Sequence, residues 1–77
     1  MEQTIRSEQI QVERKIFFFD LKENQRGRFL RITEDVNGRR DTIILPAPGV
    51  ADFIKALQSI AEDCESDLPP GRFEEER

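Results

Sequence analysis

The chain has 77 residues, of which 36% are hydrophobic and 36% charged, so it can form one small domain with a limited core. No apolar run approaches the roughly 20 residues that a membrane span requires, and the N-terminal MEQTIRSEQ is too polar for a signal peptide. The single cysteine, Cys64, cannot form an intrachain disulfide, so we expect a reducing, cytoplasmic setting and no contact with a membrane.

Charge is unevenly distributed along the chain, whose formal net charge is −4. Residues 14–40 contain eight basic and four acidic residues, whereas residues 52–77 contain three basic and eight acidic residues. A polyanion responds to the local field, because distant acids are screened beyond a Debye length of about 8 Å at physiological salt. Nine of the twelve cations are arginine, which binds phosphate through two donors and stacks on bases. The central segment can therefore bind nucleic acid, although arginines that merely solvate a small domain are the alternative.

Four segments alternate apolar and polar side chains with the period of two that is typical of β-strands. We predict strands over residues 4–13, 15–23, 28–34 and 40–45. A turn at residues 24–27 and the hairpin signal Asn37-Gly38 join the later strands. Pro46 and Pro48 end the last strand because proline cannot donate to a β-ladder. The four strands are expected to form an antiparallel meander.

The second and third strands are predicted to separate apolar side chains from a mixed set. One side contains Phe17, Phe19, Leu21, Leu30 and Ile32. The other side contains Phe18, Asp20, Lys22, Asn24, Phe29, Arg31 and Thr33. A Phe and an Arg two residues apart are unusual on a solvated strand. Rings that stack on bases, beside cations that neutralise phosphates, are typical of sheets that bind single-stranded nucleic acid.

From Gly49 onward the apolar residues recur every three or four positions, which predicts an α-helix. Its apolar stripe consists of Val50, Phe53, Ile54, Leu57, Ile60, Ala61 and Cys64. We expect the helix to cover the apolar side of the sheet, which gives an α+β fold of order ββββα. A helix of about 16 residues is only about 24 Å long and leaves part of the sheet uncovered, so a second subunit is expected. Residues 1–65 are assigned to this domain and residues 66–77 to a flexible acidic tail.

Residues 18–24 (FFDLKEN) and 27–32 (GRFLRI) closely resemble the signature of the PUR repeat, the building block of the Pur-alpha family of purine-rich-element binding proteins. The resemblance extends from about Ile5 to Cys64. Repeats of that family have the order ββββα, and the single-repeat bacterial form pairs two identical chains. The resemblance therefore implies an intertwined homodimer that binds single-stranded DNA or RNA, typically G-rich, in gene regulation or RNA handling.

The resemblance also implies which residues contact nucleic acid. The Lys and Asn of the family's K-x-N segment fall on Lys22 and Asn24, and the phenylalanine that stacks on or wedges between bases falls on Phe29. A basic residue near the third-to-fourth strand turn falls on Arg39 or Arg40. With the residues that the strand pattern adds, the predicted nucleic-acid-binding set is Lys22, Asn24, Arg26, Phe29, Arg31, Phe18, Arg39 and Arg40.

Catalysis has little support in the sequence. The chain contains no histidine to activate Cys64, and the acids near the helix end lack the glycine-centred loop of a hard-cation site. We expect no enzymatic activity, no cofactor, no metal and no small-molecule substrate. The main alternative function is a protein–protein interaction module, because aromatic residues and arginine are also enriched at protein interfaces. The alternative structural roles are an interface position for Phe29, solvated surface for Lys22 and turn formation for Asn24.

Overall fold

The computed structural model describes the backbone of residues 1–67 and the side chains of residues 1–64. Its elements are β1 (Gln3–Val12), β2 (Lys15–Asn24), β3 (Gly27–Val36), β4 (Arg39–Pro46), a 3-10 turn (Ala47–Gly49) and α1 (Val50–Asp67). The strands form one antiparallel sheet in the order β1-β2-β3-β4. The predicted four-stranded meander followed by one helix is confirmed. Residues 66 and 67 of the predicted tail continue α1, and residues 68–77 lie outside the described part.

Three two-residue turns connect the strands and fix their register. The turn at Asn37-Gly38 has positive φ at both residues, 55° and 86°, as a type I′ hairpin turn requires. It pairs Val36 directly with Arg39. The backbone N–H of Gly38 donates to Asp35 Oδ1 at 3.0 Å, which ties the turn to the strand before it.

The register assigns the paired strand residues to two faces, because directly opposed residues share a face. Ile5, at the register shift between Thr4 and Arg6, has no partner on β2. We call one the apolar face; its apolar residues are Ile10, Val12, Phe17, Phe19, Leu21, Leu30, Ile32, Val36, Ile43 and Leu45. We call the other the polar face; it contains Thr4, Ser7, Gln9, Gln11, Ile16, Phe18, Asp20, Lys22, Asn24, Phe29, Arg31, Thr33, Asp35, Arg40, Thr42, Ile44 and Pro46. The predicted separation of the two sets of side chains is confirmed.

The helix does not cover the sheet of its own chain, so that prediction is wrong. Every side chain from residue 51 to 64 is exposed, including Leu57 at 61% and Ile60 at 57%. The 3-10 turn continues directly into α1, with Val50 already in the right-handed helical region, so no reversing loop returns the helix to the sheet. The radius of gyration is accordingly 14.6 Å, against about 11 Å for a compact chain of this length.

Within residues 1–64 no apolar side chain is buried, and Thr33 is the buried polar residue at 7% exposure. The apolar face is half-buried along β2 and β3 and exposed at Ile10 (49%) and Ile43 (54%) on the outer strands. The apolar side chains around Phe17 and Phe19, which we expected the helix to cover, therefore form an incomplete core in one chain. In the described residues, no helix is both long and apolar enough to cross a membrane.

Candidate nucleic-acid interface

Phe29 lies near one end of the polar face, between Lys22 on β2 and Pro46 on β4. Its ring is half-buried and is not covered by the helix. With Ile44 and Pro46 it lines a shallow, open depression that the turn residue Arg26 also borders. This end of the sheet therefore presents an accessible aromatic surface beside a cation, which is the combination that proteins binding single strands use.

Lys22 lies beside Phe29 but its ammonium does not stand free. The side chain is 13% exposed, and Nζ donates a hydrogen bond to Thr4 Oγ1 at 2.9 Å. Glu2 Oε2 lies 3.5 Å from the same nitrogen. A phosphate that approached Lys22 would have to replace this glutamate, whose own side chain is 47% exposed.

Asn24 and Arg26 belong to the turn that joins β2 to β3. The backbone N–H of Arg26 donates to Asn24 Oδ1 at 2.9 Å, so Asn24 forms the turn through its carbonyl oxygen. Its side-chain NH2 group remains available as a donor of two hydrogen bonds. Both residues are exposed at the same end of the sheet as Phe29.

Arg31 lies at the centre of the polar face, directly opposite Asp20 on β2 and Ile44 on β4. It is half-buried. The carboxylate of Asp20 accepts a hydrogen bond from Ser7 Oγ at 2.6 Å, which directs one of its oxygens toward β1.

Phe18 and Arg40 occupy the other end of the polar face. The guanidinium carbon of Arg40 lies 5.3 Å from the centroid of the Phe18 ring, within the range of a cation–π contact. Arg40 Nε donates to Asp35 Oδ2 at 2.8 Å. The arginine side chain nevertheless remains 61% exposed, so one side of it faces solvent.

Arg39 is the predicted residue that the fold separates from the others. It pairs with Val36 and lies on the apolar face, whereas its neighbour Arg40 lies on the polar face. Seven of the eight predicted residues, the turn residue Arg26 included, thus line or border the polar face. The sequence did not indicate the carboxylates that contact these cations, Glu2 and Asp35. The Asp-x-Asn-Gly order of residues 35–38 could have indicated Asp35, because an aspartate at that position can accept a hydrogen bond from the backbone of the turn.

Groups of three or more side chains that could hold a metal ion are absent from the described residues.

Comparison with known proteins identifies a matching family and several relatives. The family model described as PurA ssDNA and RNA-binding protein matches residues 1–76. The chain is 44% identical over 62 residues to transcription factor Pur-alpha 1 of Arabidopsis thaliana, covering 80% of this chain and 21% of that protein. It is 38% identical over 78 residues to human transcriptional activator protein Pur-alpha, covering 92% and 24%. Human purine-rich element-binding protein gamma is 36% identical over 72 residues, covering 77% and 21%. The chain thus spans between a fifth and a quarter of the length of these relatives.

Proposed function

This chain belongs to the PurA family of single-stranded DNA- and RNA-binding proteins, and we propose that it binds single-stranded DNA or RNA on the polar face of its sheet. The observation that carries the proposal is that two phenylalanine rings share this uncovered face with three cations, Lys22, Arg31 and Arg40. Stacking on a ring tolerates any base, and the cations neutralise phosphates of the backbone.

The preferred ligand that we propose is a G-rich or otherwise purine-rich strand. One relative is named for binding a purine-rich element, and others are named as a transcription factor and a transcriptional activator. These names support a role in gene regulation for this chain, and the family's description as RNA-binding supports a role in RNA handling. We propose that it acts there by binding alone, without catalysis, in the cytoplasm.

The binding unit that we propose is a homodimer. The apolar face and the apolar stripe of α1 both remain in water in one chain, and together they include Ile43, Leu57 and Ile60 at more than half exposure. Exposed apolar area of this extent is costly for a small domain and typical of an interface. A second copy that covers it would also supply a second polar face, which lengthens the strand that one assembly can bind.

A protein–protein interaction module is the second candidate. It is favoured by the apolar depression in which Phe29 adjoins Ile44, itself 56% exposed, and Pro46. Salt separates the two functions. Binding to a single strand should weaken with a log–log slope of about −0.7 per neutralised phosphate, whereas an apolar protein interface should hardly respond.

The test is a titration of a labelled G-rich single strand with the full chain at two salt concentrations. We expect Phe29→Ala to weaken binding at least about fivefold, the lower end of the range for base stacking. Lys22→Ala should weaken binding and make the salt slope shallower. Ile44→Ala and Lys55→Ala are the matched controls, because Ile44 adjoins Phe29 without an aromatic ring and Lys55 lies on α1, away from the sheet. Wild-type protein that binds no single strand at low salt would refute the function. Equal affinities of Phe29→Ala, Lys22→Ala and wild type would refute the site.

A further inference from the structure

We propose that Asp35 is a positioning residue, which holds Arg40 over the ring of Phe18 and so builds a second base-stacking site on the polar face. This inference rests on the proposed function and adds to it a distinct site with its own supporting carboxylate. The site lies at the hairpin end of the sheet. Phe29 lies four residue positions away along the strands, which is about 13 Å.

Both oxygens of the Asp35 carboxylate accept hydrogen bonds. Oδ1 accepts the backbone N–H of Gly38 at 3.0 Å, and Oδ2 accepts Nε of Arg40 at 2.8 Å. The Asp35 side chain is only 14% exposed, whereas Arg40 is 61% exposed. A rigid, largely covered carboxylate therefore fixes the inner edge of a guanidinium whose outer side is open.

The row of residues next to Arg40 on the polar face explains how its side chain reaches Phe18. Phe18 on β2 is directly opposite Thr33 on β3, and Thr33 is directly opposite Thr42 on β4. The two threonine hydroxyls lie 3.3 Å apart, and Thr33 is 7% exposed. Because threonine is short, the arginine crosses from β4 over β3 to the ring on β2. A long side chain at position 33 would occupy this path.

The chemistry of the resulting pair suits a nucleobase. A guanidinium is planar, and bases stack on arginine planes as well as on aromatic rings. A guanidinium that is already held against a ring loses little conformational freedom when a base binds, so less of the binding energy is lost to ordering the side chain. The same cation attracts the strand's phosphates. The hydrogen-bonded pair of Asp35 and Arg40 is thus a preorganised platform rather than a neutralised surface pair.

The direction in which one substitution changes the affinity for the strand distinguishes a positioning role from a purely electrostatic one. Removing a negative charge next to a polyanion site should by itself tighten binding. Asp35→Asn keeps the shape and an oxygen that can accept from Gly38, but it loses the charge-assisted bond to Arg40. We expect Asp35→Asn to weaken binding of a labelled G-rich single strand about threefold or more, against the electrostatic trend. Phe18→Leu should weaken binding about two- to fivefold, because the guanidinium loses the ring that supports it.

Asp20→Asn is the matched control. Asp20 lies on the same face and has the same charge, but its carboxylate accepts a hydrogen bond from Ser7 rather than from an arginine. We expect Asp20→Asn to bind the strand as well as wild type or slightly tighter. Urea unfolding of each variant at one protein concentration verifies that the fold is kept. If Asp35→Asn is too unstable to titrate, Asp35→Glu takes its place, because it keeps the charge and displaces the carboxylate.

A double-mutant cycle distinguishes positioning from a role in turn stability. In an Arg40→Gln background, Asp35→Asn should cause no further loss of affinity, because the residue through which it acts is already gone. The inference is overturned if Asp35→Asn binds as tightly as wild type, or if it weakens binding equally in both backgrounds. In both of those cases wild-type protein still binds the strand and the proposed function stands. Failure of the function itself is recognised by wild-type protein that does not bind.

Discussion

Lys22 lies beside Phe29 on the polar face, but its ammonium already contacts groups of its own chain. Its ammonium is held by Thr4 at 2.9 Å and approached by Glu2 at 3.5 Å, and its side chain is only 13% exposed. Glu2 is itself 47% exposed, so its ion pair with the lysine is partly screened by water. The glutamate occupies the place beside the ammonium that a phosphate oxygen would take. We therefore propose that Glu2 competes weakly with a single strand for Lys22.

We predict that Glu2→Gln tightens binding of a single strand at low salt by about two- to threefold, in line with the small value of exposed ion pairs. The measurement is the same titration, performed with wild type and variant in parallel. Glu8→Gln is the control, because Glu8 pairs with Arg6 on the apolar face rather than with a residue of the polar face. Equal affinity of Glu2→Gln and Glu8→Gln would show that Glu2 does not compete for Lys22.

Strand alternation in the sequence placed five candidate residues on one side of the sheet, and the register puts the same five on one face: Phe18, Lys22, Asn24, Phe29 and Arg31. The agreement arises because alternation depends only on the period of two. The choice between Arg39 and Arg40 stayed open for a physical reason. A shift of one residue in the register exchanges the two faces, and the register was fixed only by the two-residue turn at Asn37-Gly38. Carboxylate partners such as Asp35 depend on side-chain geometry that alternation does not encode.

At the scale of the elements, the strand boundaries were predictable to within two residues. The 3-10 turn at Ala47–Gly49 was not predicted, because prolines indicate where a strand stops and do not specify the conformation of the next segment. The hairpin between β1 and β2 contains a further feature that the residue types do not indicate. Glu13 adopts a φ of 56° in its two-residue turn, a backbone conformation that residues with a Cβ rarely adopt.

We predict that Glu13→Gly raises the free energy of unfolding by about 0.5–1 kcal/mol, because the strain of the left-handed conformation exceeds the entropy that glycine loses on folding. Urea unfolding at a fixed protein concentration measures it. Arg14→Gly is the matched control, since Arg14 lies in the same turn without a positive φ and should lose stability. A loss of stability in Glu13→Gly as large as that in Arg14→Gly would contradict the strain.

At the scale of the whole molecule, the apolar stripe of α1 and the apolar face of the sheet were both predicted. The prediction that they pack against each other within one chain was wrong. Helical periodicity indicates that an apolar stripe must be covered, but it does not indicate whether the same chain or a second chain covers it. Phe53, Ile54, Leu57 and Ile60 are all more than 40% exposed, and so are Ile10 and Ile43 on the sheet. We propose that two copies cover these complementary apolar surfaces by exchanging their helices.

We predict that Leu57→Asp dissociates the dimer, because it places a charge in the middle of the stripe that a partner would bury. Leu57 is 61% exposed in one chain, so a monomer loses little from the substitution itself. Sedimentation equilibrium measures the mass, and wild type should have twice the mass of one chain. Ser59→Asp, on the polar side of α1, is the control and should remain dimeric. Unfolding of wild type should shift to higher temperature as protein concentration rises, whereas unfolding of Leu57→Asp should not. A wild-type protein of single-chain mass would refute the dimer, and an unchanged mass in Leu57→Asp would mean that the stripe is not its interface.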